Sequence, residues 1–291
     1  MKIFSLIGHI ALAVLLTSIH PANANAAKHP TKQSAASSQS AYLLQVNGHT
    51  LREKNANLRR PPASLTKIMT ALIVVENGHL DDIVTVSSSA ARETGSRIGL
   101  RRGDRLRVRD LLAASLMASA NDATRALADH LAGNQQAFVH LMNERAQSLK
   151  LTGTRFSNVC GHDHKGLYTT AHDLVILTDR ALRNPVFTDL VARRSMRIVT
   201  VKGHRVFSFR NKNRLIGRYP GALGVKTGTT PKAGQCLVAL AQRGDTKIFL
   251  VLLNMKPRWQ VAPAMLDAAF TASAQMKSDD TAGGIEHAAL P

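Results

Sequence analysis

The apolar positions fall into three textures along the chain. Behind Lys2, residues 3–19 form a nearly continuous apolar run broken by His9 and followed by Pro21-Ala22-Asn23-Ala24-Asn25-Ala26. One early cation, a short apolar segment and small residues at alternate positions predict a secretory signal over residues 1–26, cut near Ala24 or Ala26. The run is short for a retained anchor and its flanks suit cleavage. Residues 27–39 are Lys, His, Pro, Thr, Gln, Ala and Ser without apolar periodicity, which predicts a disordered linker.

Alternation follows. Residues 41–46 and 49–53 flank Asn47-Gly48, the dipeptide that supplies a left-handed two-residue turn, so a hairpin is expected. The texture then becomes helical. Leu65, Ile68, Met69, Leu72 and Val75 recur at helical spacing after Pro61-Pro62, predicting a helix from Ser64 to about Asn77-Gly78. Further helices are expected at Val108 to Leu116, at Ala123 to Leu131, around Phe138, Leu141, Met142 and Leu149, and from Thr170, where Thr170 and Asp173 resemble a capping box.

Beyond Arg193 the chain turns β-branched and alternating, with strands expected at residues 196–201, 205–209, 223–227, 235–241 and 247–253. Strands at both ends with helices between them predict an α/β fold: one antiparallel sheet flanked by helices, with a helical lobe inserted and a cleft where the two meet. A last helix over residues 260–274 should pack on the sheet. Residues 275–291 are polar and Gly-containing and are expected to be disordered. The folded domain is therefore placed at residues 40–274.

Charge narrows the surroundings. The chain carries a formal charge of +19, and loss of a signal whose only charge is Lys2 leaves +18. Such a protein is expected to associate electrostatically with anionic wall polymers or a membrane surface. Nucleic acid is disfavoured, because no basic motif is interleaved with aromatic residues. Cys160 and Cys236 are too few for a disulfide framework and lack metal-ligand spacing. They could pair in an oxidising compartment, or Cys236, in an apolar strand-like run, could stay a buried thiol.

Candidate chemistry begins at Ser64-Leu65-Thr66-Lys67. At a helix start these two polar side chains share a face, so an amine can approach a hydroxyl. Burial of the ammonium, or a second cation nearby, would favour the neutral amine that can take the proton of the serine. Ser-x-x-Lys alone is commonly a cap and a solvated lysine, so companions decide. Ser119-Ala120-Asn121 falls at a helix junction, where a hydroxyl could relay a proton and an amide could orient a carbonyl. Lys226-Thr227-Gly228-Thr229 falls on a strand expected at the sheet edge, with Lys226 and Thr227 suited to a carboxylate and Gly228 leaving room for a substrate.

The three motifs in this order resemble the low-molecular-mass penicillin-binding D-alanyl-D-alanine carboxypeptidases. The likeness includes Asn158-Val159-Cys160-Gly161 and Thr169-Thr170-Ala171-His172-Asp173-Leu174 and spans residues 41–274. It implies the serine β-lactamase/DD-peptidase-like fold and a penicillin-binding serine D-Ala-D-Ala carboxypeptidase that works through an acyl-enzyme, without metal or cofactor. The substrates would be peptidoglycan pentapeptides or crosslinked muropeptides, with β-lactams as covalent inhibitors. Location would be periplasmic or extracellular, at the cell wall.

Carried over by position, Ser64 is the nucleophile, Lys67 its base, Ser119 the proton relay and Asn121 the substrate-positioning amide. Lys226 and Thr227 would bind the terminal carboxylate, beside Gly228. The Ser64 and Thr229 N–H groups would form the oxyanion hole. The residues Phe209 to Leu215 also resemble the DD-endopeptidase branch, so cleavage of crosslinks is the alternative. A class A-like β-lactamase or a silent wall-binding, penicillin-sensing protein are weaker ones. Ala120 stands where Gly is frequent. Between Asn121 and Lys226 the one glutamate is Glu144, on a predicted helix rather than a loop over the nucleophile. His162 and His164 form a metal pair only superficially, with no third ligand expected.

Overall fold

The computed structural model describes residues 39–77 and 79–286; the predicted signal and residues 27–38 of the predicted linker lie outside them. Strands β1 (Ala41–Val46) and β2 (His49–Lys54) form the expected hairpin. Asn47 and Gly48 both have positive φ, 49° and 87°, as that tight turn requires. Strands β7 (Ala222–Thr230), β8 (Gly234–Arg243) and β9 (Thr246–Leu253) complete an antiparallel sheet in the order β2-β1-β9-β8-β7. The chain thus builds one sheet from both of its ends, and β7 is an edge.

Both faces of that sheet are covered, which explains its unbroken apolar runs. On β9, Phe249, Val251 and Leu253 join the core shared with the helical lobe, while Ile248, Leu250 and Leu252 join a second core. The period of two assigns alternate residues to opposite faces. Helix α8 (Arg258–Glu286) covers the second face through Ala262, Leu266 and Ala269. It extends past residue 274, which corrects the expected disordered tail as far as Glu286. Residues 272–278 contain helix-compatible Ala, Gln, Met and Lys without Pro. Ser273 and Lys277 also reach Thr246, at 3.4 and 3.3 Å, and fix this part of the helix to β9.

The inserted lobe centres on α1 (Lys67–Asn77), whose residues from Lys67 to Val75 are all buried. A helix apolar around its whole circumference must sit inside other helices. Here it contacts α3 (Val108–Met117), α4 (Asn121–Ala132), α5 (Gln135–Ser148), α6 (Ala171–Leu182) and α7 (Pro185–Ala192). Thr170 caps α6 by accepting the Asp173 N–H at 3.0 Å. The Asp173 carboxylate does not reciprocate as a capping box would; it accepts from Gly153 N at 2.9 Å and Thr154 Oγ1 at 2.6 Å.

Sequence patterning did not anticipate α7, the short α2 (Ser88–Ala91), or β3 (Ile83–Thr85) and β4 (Arg105–Arg107), which pair with each other. Three-residue strands are too short to show alternation. The predicted strands near 196–209 exist as β5 (Ser195–Val199) and β6 (Val206–Arg210), but as a separate hairpin outside the five-stranded sheet. Ile198 and Phe207 are buried on one face, whereas Arg197, Val199, Val206 and Arg210 are exposed on the other. A strand pair with one solvent-exposed face cannot occupy a sheet covered on both sides.

Candidate active site

The helix predicted from Ser64 begins instead as a 3-10 turn, Ala63–Thr66, and becomes α-helical at Lys67. Pro62 is its N-cap, with no side-chain cap bond, so Ser64 does not serve as a cap. Ala63 has φ +49°, a conformation that costs free energy in a non-Gly residue. Thr66 Oγ1 steadies it by donating to Ala63 O at 2.8 Å. Both Gly161 and Gly228 press on this turn. A Cβ on Gly161 would overlap the Ala63 carbonyl oxygen, and one on Gly228 would lie 3.0 Å from Ser64 N and 2.9 Å from Ala63 Cβ. Gly228 therefore makes room for the Ser64 turn against β7, a use of that space beyond the substrate clearance expected from the motif.

Lys67 is fully buried, and its Nζ meets three acceptors: Ser64 Oγ at 3.2 Å, Asn121 Oδ1 at 2.7 Å and Cys160 O at 2.6 Å. Asn121 Nδ2 donates to Thr94 O at 2.5 Å, which fixes the orientation of its amide. Two of the acceptors, an amide oxygen and a carbonyl, can only accept. A neutral amine has two N–H groups for them and one lone pair left, directed at the serine hydroxyl. Burial pulls the Lys67 pKa from 10.5 to about 8, with Lys212 adding to the fall and Glu93 and Asp122 opposing it. At pH 7 that raises the neutral fraction from about one in 3,000 to about one in ten.

The Cys160 carbonyl is held by a built loop. Asn158 Oδ1 accepts from Gly161 N at 2.7 Å and His162 N at 3.0 Å, and Thr70 Oγ1 donates to Val159 O at 2.9 Å. Gly161, at φ +92°, suits a conformation that residues with a side chain rarely adopt. On the other side, Asp122 accepts from the N–H groups of Ile98, Gly99 and Leu100 at 3.3, 2.9 and 3.0 Å. This fixes residues 98–100 on the first turn of α4. Ser119, at φ +56°, turns the chain between α3 and α4 and lines the cleft. Ala120 has φ −70°, ψ 116°, extended backbone that any residue adopts, so glycine is not needed there.

Ser64, Ser119, Thr227, Gly228 and Thr229 line one cleft of about 400 Å³. Lys226 is buried beneath it, and its Nζ donates to Thr227 O at 3.0 Å. Burial, then the nearby cations Lys67, Lys212 and Arg258, hold its pKa well below the ordinary lysine value. All eight residues singled out from sequence, Ser64, Lys67, Ser119, Asn121, Lys226, Thr227, Gly228 and Thr229, thus meet in or directly under this cleft.

Sequence reasoning missed several neighbours. Lys212, Arg214 and Arg258 line the same cleft. Lys212 Nζ donates to Ser96 Oγ at 2.6 Å, and Arg258 donates to Gly228 O at 2.6 Å, Thr229 Oγ1 at 2.9 Å and Cys236 O at 3.0 Å. Lys212 and Arg214 fall in the segment Phe209 to Leu215, singled out above for its likeness to the endopeptidase branch but given no role in the cleft, and no motif spacing marks Arg258. Glu93 was also missed. It accepts from Arg125 at 3.2 Å and bonds His162 Nε2 at 3.1 Å. Burial pushes its carboxyl up, but the bonds and charges of His162 and Arg125 outweigh this and hold it below the usual range.

The expectation that His162 would find no third metal-type ligand is corrected here. Glu93, Cys160 and His162 bring their donor atoms within 4.8 Å of one another, whereas His164 Nδ1 accepts the Gly166 N–H at 3.1 Å. Arg125 and Lys67 flank the group, and burial raises the Cys160 thiol to about 12. The open question of the cysteines closes as two free, buried thiols.

The D-alanyl-D-alanine carboxypeptidase family matches residues 24–257 of this sequence. The chain belongs to that family. It is a serine DD-peptidase with the β-lactamase-like fold. D-alanyl-D-alanine carboxypeptidase DacF of Bacillus subtilis is 35% identical over 267 residues, covering 89% of this chain and 68% of that protein. DacC of Escherichia coli is 37% identical over 230 residues, covering 74% of this chain and 56% of the relative, so the chain spans little more than half of that protein. The crystal structure of the Streptomyces K15 DD-transpeptidase superposes with TM-score 0.72 at 31% identity, covering 79% of this chain and 96% of the other.

Proposed function

We propose that the protein is a D-Ala-D-Ala carboxypeptidase of peptidoglycan stem peptides, with Ser64 as nucleophile and Lys67 as its base. The observation that carries this is the bonding of Lys67 Nζ: Asn121 Oδ1 and Cys160 O take both N–H groups of the neutral amine, and the lone pair faces Ser64 Oγ. Ser64 Oγ attacks the carbonyl carbon of the penultimate D-Ala as Lys67 takes its proton. The Ser64 and Thr229 N–H groups receive the oxyanion. Ser119 relays the proton held by Lys67 to the departing D-Ala nitrogen, the C–N bond breaks and Lys67 is neutral again, and water then hydrolyses the ester to release the shortened peptide and restore Ser64. Lys226 and Thr227, with Lys212, Arg214 and Arg258 around them, make the cleft attractive to the terminal carboxylate. Asn121 positions the substrate amide as well as Lys67.

A β-lactam carbonyl would meet the same serine. The nearest sequence candidate for a water activator, Glu144, pairs with His140 at 3.2 Å on the exposed side of α5, so the penicilloyl ester should persist. Endopeptidase action is the second reading, favoured by the wall that Asn211, Lys212 and Arg214 add to the cleft. Incubation with defined pentapeptide and crosslinked muropeptides, with products identified by mass, separates the two: free D-Ala from pentapeptide supports the carboxypeptidase, and cleavage of crosslinks alone overturns it. The reading also includes export by residues 1–26 and electrostatic retention at anionic envelope polymers. Salt should release the protein from isolated envelopes, and retention unchanged at high salt would remove electrostatics as the cause.

A further inference from the structure

The β5–β6 hairpin displays a face that catalysis does not use. Val199 and Val206 are cross-strand partners on one side of the hairpin, and Val201 follows in the turn at the same end. They are 45%, 46% and 48% exposed, and they are three of the seven exposed large apolar side chains among the described residues. Scattered single cases are ordinary, but three at one end of a single hairpin form a patch. Arg197 and Arg210 lie on the same face, and Lys202 and His204 occupy the exposed tip.

The surrounding charge is one-signed. Residues 190–244 contain twelve Lys and Arg and no Asp or Glu. Exposed Arg101, Arg102 and Arg105 stand on the adjoining segment, where the Val201 N–H donates to Arg105 O at 2.8 Å. The carboxylate nearest the tip, Asp104, is paired with Arg205. Arg205 also donates to Gly99 O at 2.8 Å and stacks over Phe207 at 4.8 Å. The tip is therefore braced against the lobe and holds its apolar face in place.

We propose that this hairpin docks the protein on an anionic phospholipid bilayer, with Val199, Val201 and Val206 entering the headgroup boundary and Arg197, Lys202 and Arg210 meeting lipid phosphates. Charge alone would fit a wall polymer equally well. The valines choose between the two, because a polysaccharide offers anions but no hydrocarbon, whereas a bilayer offers both. The inference rests on the electrostatic retention proposed above and adds the surface and its occupant.

The test is sedimentation of the purified protein with phosphatidylglycerol/phosphatidylethanolamine vesicles, with phosphatidylcholine vesicles and purified peptidoglycan as comparisons. The variant Val199→Thr/Val201→Thr/Val206→Thr keeps β-branching and side-chain shape, and an unchanged rate of penicillin acylation shows that it folds. Binding to anionic vesicles by the wild type, weakened about tenfold in the variant, is the expected result. Arg197→Gln/Lys202→Gln should weaken it too and flatten its salt dependence. Equal vesicle binding by wild type and triple variant would overturn the inference. So would salt-sensitive binding to peptidoglycan with none to vesicles, although that outcome would leave electrostatic retention standing.

Discussion

Lys67 and Lys226 are both buried lysines on the same cleft, yet their surroundings are opposite. Lys67 has three acceptors, of which Asn121 and the Cys160 loop are held by further bonds, whereas Lys226 donates to the single carbonyl of Thr227. Both amines are driven toward the neutral form by burial. The difference shows two uses of one side chain. Lys67 is fixed in advance, which suits the proposed base, since no reorganisation would then accompany the reaction. Among the described residues Lys226 has no anionic partner in the cleft, and a substrate carboxylate would supply it.

The largest effect should come from the fixed side. Ser64→Ala should abolish covalent labelling by a fluorescent penicillin while thermal unfolding stays cooperative, and labelling of the folded variant would discard the nucleophile. Lys67→Arg keeps the cation but removes the accessible neutral form, so acylation should fall by about 10²–10⁴-fold. Near-normal acylation would mean that another group takes the proton.

The same contrast sets a pH dependence. The active form of Lys67 is the unprotonated one, so the acylation rate should rise with pH through about 8 and level off above it. A rate that falls as pH rises through 7 to 9 would reverse the sign and exclude a free-amine base. On the recognition side, Lys226→Ala should weaken use of substrates with a free terminal carboxylate by about 10–150-fold, the range for a charged hydrogen bond. A substrate amidated at that carboxylate should lose less. Equal losses for both substrates would separate Lys226 from carboxylate binding.

Smaller effects probe what surrounds the base. Glu93 opposes the pKa fall of Lys67 and bridges His162 to Arg125. Glu93→Gln should therefore move the acid limb of the pH profile to lower pH, with a change of only several-fold in the plateau rate. A plateau change with no shift in the limb would leave Glu93 a purely structural tie. The smallest effect belongs to Glu144→Gln, which should leave the slow release of penicillin unchanged. Faster turnover in the wild type, lost in this variant, would instead make Glu144 a water activator.

How much of this could be read in advance follows the range of the interactions. The hairpin at Asn47-Gly48, α1 and α3 to α6, and the last three strands are written locally, because period and turn chemistry act over a few residues. The Ser64/Lys67 pair is equally local, since three residues along a turn bring the groups together. The short strands β3 and β4, the detachment of β5–β6 from the main sheet and the length of α8 depend on what lies across from each segment. The same holds for the site. Sequence singled out the seven polar residues and Gly228 that meet at the cleft, through three motifs in order. Tertiary structure alone decided that Cys160, 93 residues from Lys67, would offer its carbonyl, that Glu93 would face His162, and that Arg258 would reach the cleft. Those contacts join groups distant in the chain, and burial sets the pKa of Lys67 through atoms that no motif records.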